Sequence, residues 1–313
     1  MKSFGMVFPG QGSQHIGMLS QLISKYPEVQ ETFDEASSIL DNKDLWQLVQ
    51  NGPREELNKT INTQPALLSA SVAIFKILKK KKIIPQIMAG HSLGEYSALV
   101  CAKVLSFHNA IKLIKIRSEL MENAVPKGTG LMMAIIGLEK KIVQKLCLEN
   151  KKKQEIVEIS NFNSPYQIVI SGNKESVKKT GIACKNIGAK HIVQLPISIP
   201  SHCSLMKPIA KKFSQYLKKV DFYPPKIPVI NNVDVTIEND VNIIRKNLAR
   251  QLYKPVRWIE IVQFITKKNI EKILEIGPKK VLNKLIVSIT NSIETISIND
   301  YKSLSLVYKF IKE

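Results

Sequence analysis

The chain has 313 residues, 44% of them apolar, enough for one large α/β domain with a smaller insert or for two modest domains. Its 46 Lys and Arg against 26 Asp and Glu give a formal charge of +20, which suits a polyanionic partner. Aromatics make up only 6% and none interleaves with the basic runs, so no nucleic-acid stacking surface is expected, and no run approaches the roughly 18 apolar residues of a membrane span.

The first strand is expected at Phe4–Phe8; Pro9-Gly10 stops it, and the run is too short for a signal peptide. The loop Pro9-Gly10-Gln11-Gly12-Ser13 follows. A helix is predicted over 65–80, with Thr63 or Gln64 beginning it and Pro65 in its first turn. An apolar strand over 83–89 leads into Gly90-His91-Ser92-Leu93-Gly94 and then a helix over 95–100. A second helix is predicted over 107–123. The pattern changes near Pro126-Lys127-Gly128-Thr129-Gly130. Strands at 131–136, 155–160, 167–171 and 191–196, with helices at 139–149 and 175–187, give the β-α-β-β-α-β order of a ferredoxin-like unit. Asn161-Phe162-Asn163-Ser164-Pro165 is read as the loop between the second and third of these strands. Strands at Val229–Ile230 and Lys272–Ile276 and a helix near 242–252 return the chain to the larger unit. The expected organisation is a large α/β domain over 1–125 and 199–313, its sheet parallel, with a ferredoxin-like insert over 126–198. Lys79-Lys80-Lys81-Lys82 and Lys151-Lys152-Lys153 fall at expected helix ends and loops, where lysine favours solvent. Much of the charge is therefore read as compositional drift, with an acidic protein partner second. Cys101, Cys147, Cys184 and Cys203 form no C-x-x-C pair and no disulfide framework, which points to a reducing cytoplasm.

The motif G-x-S-x-G between a strand and a helix lifts one serine hydroxyl out of a tight turn, so Ser92 is the expected acyl-carrying nucleophile. Such a serine needs a base. Of the five histidines, His91 precedes the serine and should point away from it, and His108 sits on a polar helix face. His191 opens an insert strand, and His15 follows the first glycine loop. Elimination leaves His202, in Ile199-Pro200-Ser201-His202-Cys203. The oxyanion hole should combine the Leu93 N–H with one from Gly10-Gln11-Gly12. On the 107–123 helix, Arg117 lies almost opposite the polar face of His108, Lys112, Lys115, Glu119 and Glu122, on a stripe with Ala110, Ile114 and Met121. Two readings of it stand side by side: a snorkelling stem or buried structural ion pair, or a bidentate clamp for a substrate carboxylate. No acidic residue is evidently placed to orient His202. Asp221, Asp234, Gln251 and Asn231-Asn232 all remain open.

Phe8-Pro9-Gly10-Gln11-Gly12-Ser13-Gln14, Thr63-Gln64-Pro65-Ala66, Gly90-His91-Ser92-Leu93-Gly94-Glu95-Tyr96, Asn161-Phe162-Asn163-Ser164-Pro165, Pro200-Ser201-His202, Asn231-Asn232-Val233 and Glu275-Ile276-Gly277-Pro278 together make the chain resemble the malonyl-CoA:acyl-carrier-protein transacylases over nearly its whole length. The resemblance implies an α/β-hydrolase-like domain with a ferredoxin-like insert. It implies Ser92 as nucleophile, His202 as general base and acid, and the N–H groups of Gln11 and Leu93 as oxyanion hole. It implies Arg117 as partner of the malonyl carboxylate and Gln251 as the residue whose main-chain carbonyl orients His202. Gln64 and Asn161 look like pocket residues, and Met121, on the Arg117 stripe, joins them on the substrate-binding side. Ser118 stands where the family often has glycine, and Lys279 replaces the second glycine of G-P-G-x.

The expected reaction is a two-step exchange. Malonyl-CoA acylates Ser92, and the phosphopantetheine thiol of acyl carrier protein then takes the malonyl group, with no metal or redox cofactor. The alternatives are a serine thioester hydrolase and a non-catalytic carrier-docking protein.

Overall fold

The structure, a computed structural model, describes residues 3–41, 43–150, 155–197 and 199–312. The Lys151-Lys152-Lys153 run and Ser198, at the expected end of the insert, lie outside the described residues. The strands are β1 (Phe4–Phe8), β2 (Ile87–Gly90), β3 (Gly130–Ile136), β4 (Val157–Ser164), β5 (Gln167–Asn173), β6 (His191–Gln194), β7 (Val229–Ile230), β8 (Lys272–Ile276) and β9 (Glu294–Ile298). They form two sheets. One is parallel, in the order β7-β2-β1-β8-β9; the other is antiparallel, in the order β4-β5-β3-β6.

Alternation along β1 shows how the parallel sheet is buried on both sides. Met6 and Phe8 join one core with the helices Thr60–Lys80, Leu93–Cys101 and Phe107–Glu122. Val7 joins a second core on the opposite face, with Trp258, Ile261 and Leu285. The Thr60–Lys80 helix is long and apolar enough to cross a membrane, but it is the buried centre of the first core. In the antiparallel sheet, Leu131, Met133 and Ile135 face the helices Lys140–Glu149 and Lys174–Asn186, while Met132, Ala134 and Val169 face the other way, towards the larger unit. Its strand order, 2-3-1-4 in its own numbering, is that of the expected ferredoxin-like unit.

Backbone bonds stitch the two sheets' units together. Val256 N–H donates to Ser160 O (2.9 Å), and Phe162 N–H donates to Val256 O (2.9 Å). The Glu158 carboxylate on β4 accepts from Ser204 N–H at 2.8 Å and from its hydroxyl at 2.7 Å.

Several expected boundaries are corrected, and the strand expected over 83–89 begins only at Ile87. The long helix begins at Thr60, so Pro65 sits inside it rather than in its first turn. Continuous burial from Asn62 to Phe75 offsets the hydrogen bond that the proline cannot make. β4 runs through Asn161-Phe162-Asn163-Ser164, which the local sequence marks as loop. Its pairing with β5 and Val256 overrides the weak strand propensity of asparagine and serine.

Candidate active site

The β2-to-helix turn is built around two glycines. A Cβ on Gly90 would lie 1.9 Å from the Gly94 carbonyl carbon, and one on Gly94 would lie 1.9 Å from Phe8 O. No side chain fits either position. Ser92 between them holds φ 53° and ψ −109°, a conformation that side chains rarely adopt and that recurs where function demands it. Gly94→Ala is expected to destabilise the fold by about 3 kcal/mol, the upper end for overpacking, in a denaturant titration. An unchanged midpoint would contradict this reading of the turn.

His202 reaches this serine from the loop before a short 3₁₀ turn. Ser92 Oγ lies 2.7 Å from His202 Nε2, and His202 Nδ1 lies 2.7 Å from Gln251 O. A carbonyl oxygen only accepts, so Nδ1 carries the proton and Nε2 is left to accept from the serine hydroxyl. Burial, aided by the positive charge of Arg117, pushes the His202 imidazole down to about 3, so it stands neutral at neutral pH. The acidic alternatives fall away. Asp221 is exposed, and Asp234 is held by Arg250 at 2.6 and 2.9 Å. His108 and His191 are exposed as well, and the His91 ring turns to Asn163 Oδ1 (2.9 Å) and packs near Trp258.

Behind the pair runs a buried polar network. Arg117 is 1% exposed, and its two terminal nitrogens donate to Gln64 Oε1 (2.8 Å) and Gln251 Oε1 (3.1 Å). Among the described residues no carboxylate makes a direct ion pair with it; Glu95 acts on it across Gln251, whose amide bridges the two. Its Nε meets no well-formed hydrogen-bond acceptor among the described residues, and its guanidinium carbon lies 5.4 Å from the Tyr96 ring centroid. Gln64 Nε2 lies 3.3 Å from Gln11 Oε1 and 3.6 Å from Met121 Sδ. Gln251 Nε2 donates to Ser92 O (3.0 Å) and to Glu95 Oε2 (2.8 Å). Asn232 clasps the turn itself: its Oδ1 accepts from Ser92 N–H (2.7 Å), and its Nδ2 donates to Gly90 O (2.6 Å).

The pair opens onto a cleft of about 250 Å³ between the two sheets. Gly10, Gln11, His91, Ser92, Asn161 and His202 line it, with Met132, Ala134 and Val169 as the opposite wall. The loop carrying Gln11 presses against the serine turn, since a Cβ on Gly10 would meet His91 O at 2.6 Å. Leu93 opens its helix, where the first N–H groups have no partner within the helix. Glu275 at the end of β8 accepts from the N–H groups of Val281, Leu282 and Asn283 (2.8–3.0 Å), which fixes the helix whose Leu282 and Leu285 close another side of the cleft. Lys279, the departure in that loop, reaches Gln14 O at 3.4 Å. Ser118 is buried and turns its hydroxyl back to Ile114 O (2.7 Å). Thus Ser92, His202, Gln251, Arg117, Gln64, Gln11 and Met121 form one connected set. Asn161 meets them only across the cleft, its Oδ1 held by Ser160. Glu95 is the member to which sequence reading gives no role, and Asn232, open there as a partner of His202, holds the serine turn instead.

Fold and site together define an acyl transferase domain, the description of the family model that matches residues 6–313. The malonyl CoA-acyl carrier protein transacylase of Haemophilus influenzae is 51% identical over 99% of this chain and 100% of its own length. The chain belongs to the malonyl CoA-acyl carrier protein transacylase family. The solved structure of that enzyme from Coxiella burnetii superposes with a TM-score of 0.97 at 45% identity, covering 100% of this chain and 98% of the other. A malonyl-transacylase in complex with its type II PKS acyl-carrier protein gives 0.96 at 52% identity, covering 98% and 99%.

Proposed function

We propose that this chain moves a malonyl group from malonyl-CoA to the phosphopantetheine thiol of acyl carrier protein, by way of an ester on Ser92, and so supplies fatty-acid elongation. His202 Nε2 takes the serine proton as Oγ attacks the thioester carbonyl. The N–H groups of Gln11 and Leu93 receive the developing oxyanion. Collapse of the tetrahedral intermediate expels the CoA thiolate, which takes the proton from the imidazolium. The carrier thiol then gives its proton to His202, attacks the ester, and leaves as malonyl thioester while Ser92 Oγ is reprotonated. The Gln251 carbonyl holds the Nδ1 proton throughout and stabilises the imidazolium that forms in each half-reaction.

One observation carries the choice of acyl group. Arg117 is a buried guanidinium with no directly paired carboxylate among the described residues, and a single amide side chain, Gln251, separates it from the serine. A buried cation in that state is poised for an anion brought by substrate. Gln64, Met121 and Asn161 are assigned to the walls around that anion's path. The division into a large domain over 1–125 and 199–313 and an insert over 126–198 puts the cleft where the two meet. The four cysteines are free and buried, which fits a cytoplasmic setting.

Intact mass after mixing with malonyl-CoA tests the reading. A malonyl adduct is expected on the native chain, absent in Ser92→Ala, and passed on when reduced holo-carrier is added. Immediate release of free malonate would point to a hydrolase instead, and an adduct surviving in Ser92→Ala would overturn the nucleophile.

A further inference from the structure

Glu95 is a carboxylate buried in the first turn of a helix whose other residues are apolar or small, apart from Tyr96. Nothing in the acyl transfer uses it directly. Its position is nonetheless unusual, because one of its oxygens joins two separate arms of the site. Glu95 Oε2 accepts from Asn232 N–H (3.0 Å) and from Gln251 Nε2 (2.8 Å). Asn232 in turn holds the serine turn by both Ser92 N–H and Gly90 O. Gln251 presents the carbonyl that orients His202, and its amide also reaches Ser92 O. The support of the nucleophile's turn and the support of its base come from segments 140 and 159 residues away from Ser92, and they meet at this single acceptor.

We propose that Glu95 is a positioning residue, which sets the distance and angle between Ser92 Oγ and His202 Nε2 by accepting from Asn232 and Gln251 at one oxygen. The proposal rests on the reading of Ser92 and His202 as nucleophile and base. The oxygen's placement is what matters. Aspartate would withdraw the acceptor by one methylene and release both arms. Glutamine can keep an amide oxygen at the same point. The surroundings tolerate a neutral group there: burial pushes the Glu95 carboxyl up to about 7, against the opposing pull of Gln251, Asn232 and the Arg117 charge. Arg117 and Tyr96 are the other charged or titratable groups linked to it, with His202 beyond Gln251.

The test compares Glu95→Ala, Glu95→Asp and Glu95→Gln with the native chain, per folded protein by circular dichroism. Two single-turnover rates are read: malonylation by malonyl-CoA, and sulfonylation of Ser92 by phenylmethanesulfonyl fluoride, which carries neither CoA nor a carboxylate. Alanine and aspartate are expected to slow both rates by roughly 10- to 100-fold, the scale of a misplacement of about 1 Å, with KM for malonyl-CoA little changed. Glutamine is expected to recover most of the lost rate. A native rate in the alanine variant would overturn the proposal. So would aspartate retaining the rate while glutamine loses it, because charge rather than placement would then be acting. Failure of the native chain itself to be modified at Ser92 by either reagent would instead sink the underlying assignment of the nucleophile.

Discussion

His202→Ala is expected to slow malonyl-Ser92 formation on the order of 10⁴-fold or more, about 5 kcal/mol of barrier, with malonyl-CoA binding nearly unchanged. The size follows from what is removed. Among the described residues Ser92 Oγ has one base within reach, at 2.7 Å, and that base is already in the tautomer and charge state that accepts a proton. Without it the hydroxyl must lose its proton to water, a far weaker base. The two backbone N–H groups assigned to the oxyanion would remain, so a residual rate above background should survive. Rapid-quench acylation followed by intact mass measures the effect. A rate within tenfold of the native chain would mean that another group serves as base.

The second large effect concerns choice rather than speed. Arg117→Ala is expected to lower malonyl transfer by about 10²- to 10³-fold, the loss of roughly 3–4 kcal/mol that breaking a buried charge pair brings. Acetyl transfer, with no anion to bind, should stay within a few-fold. Arg117→Lys should fall between, because a single ammonium cannot reproduce the fork that now spans Gln64 and Gln251. Competition between malonyl-CoA and acetyl-CoA in one reaction reads the ratio directly. Equal losses for both donors would show that Arg117 supports the site without touching the acyl group.

These residues differ in how far the sequence alone reveals them. Ser92 announces itself locally, since glycines at 90 and 94 are the only residues that the turn accommodates. Arg117 is legible through periodicity: a cation on an apolar stripe must be doing something. Glu95 carries the same signal, an acid inside an apolar helix, and the same reasoning applied to it would have marked it. His202 is reached only by elimination and resemblance, because a histidine in a loop has no local signature. Asn232 has none either. Its meaning lies in two hydrogen bonds to a segment 140 and 142 residues away, which no spacing rule connects. The fold divides the same way. β1 and β8 and the insert's alternation of strands and helices follow from apolar runs and their stops. β4 and the start of the Thr60–Lys80 helix do not, because tertiary pairing and burial there outweigh asparagine and proline.

The seam at Val256 has a bearing on redesign. Main-chain hydrogen bonds at Ser160 and Phe162 sew β4 to the segment just beyond Gln251, so the gap between the two sheets is set by a hydrogen-bonded seam. A bulkier acyl donor cannot prise that gap open without unpicking the seam. Anyone wishing to broaden the repertoire should trim the far wall, at Met132 or Val169, and leave the stitching alone.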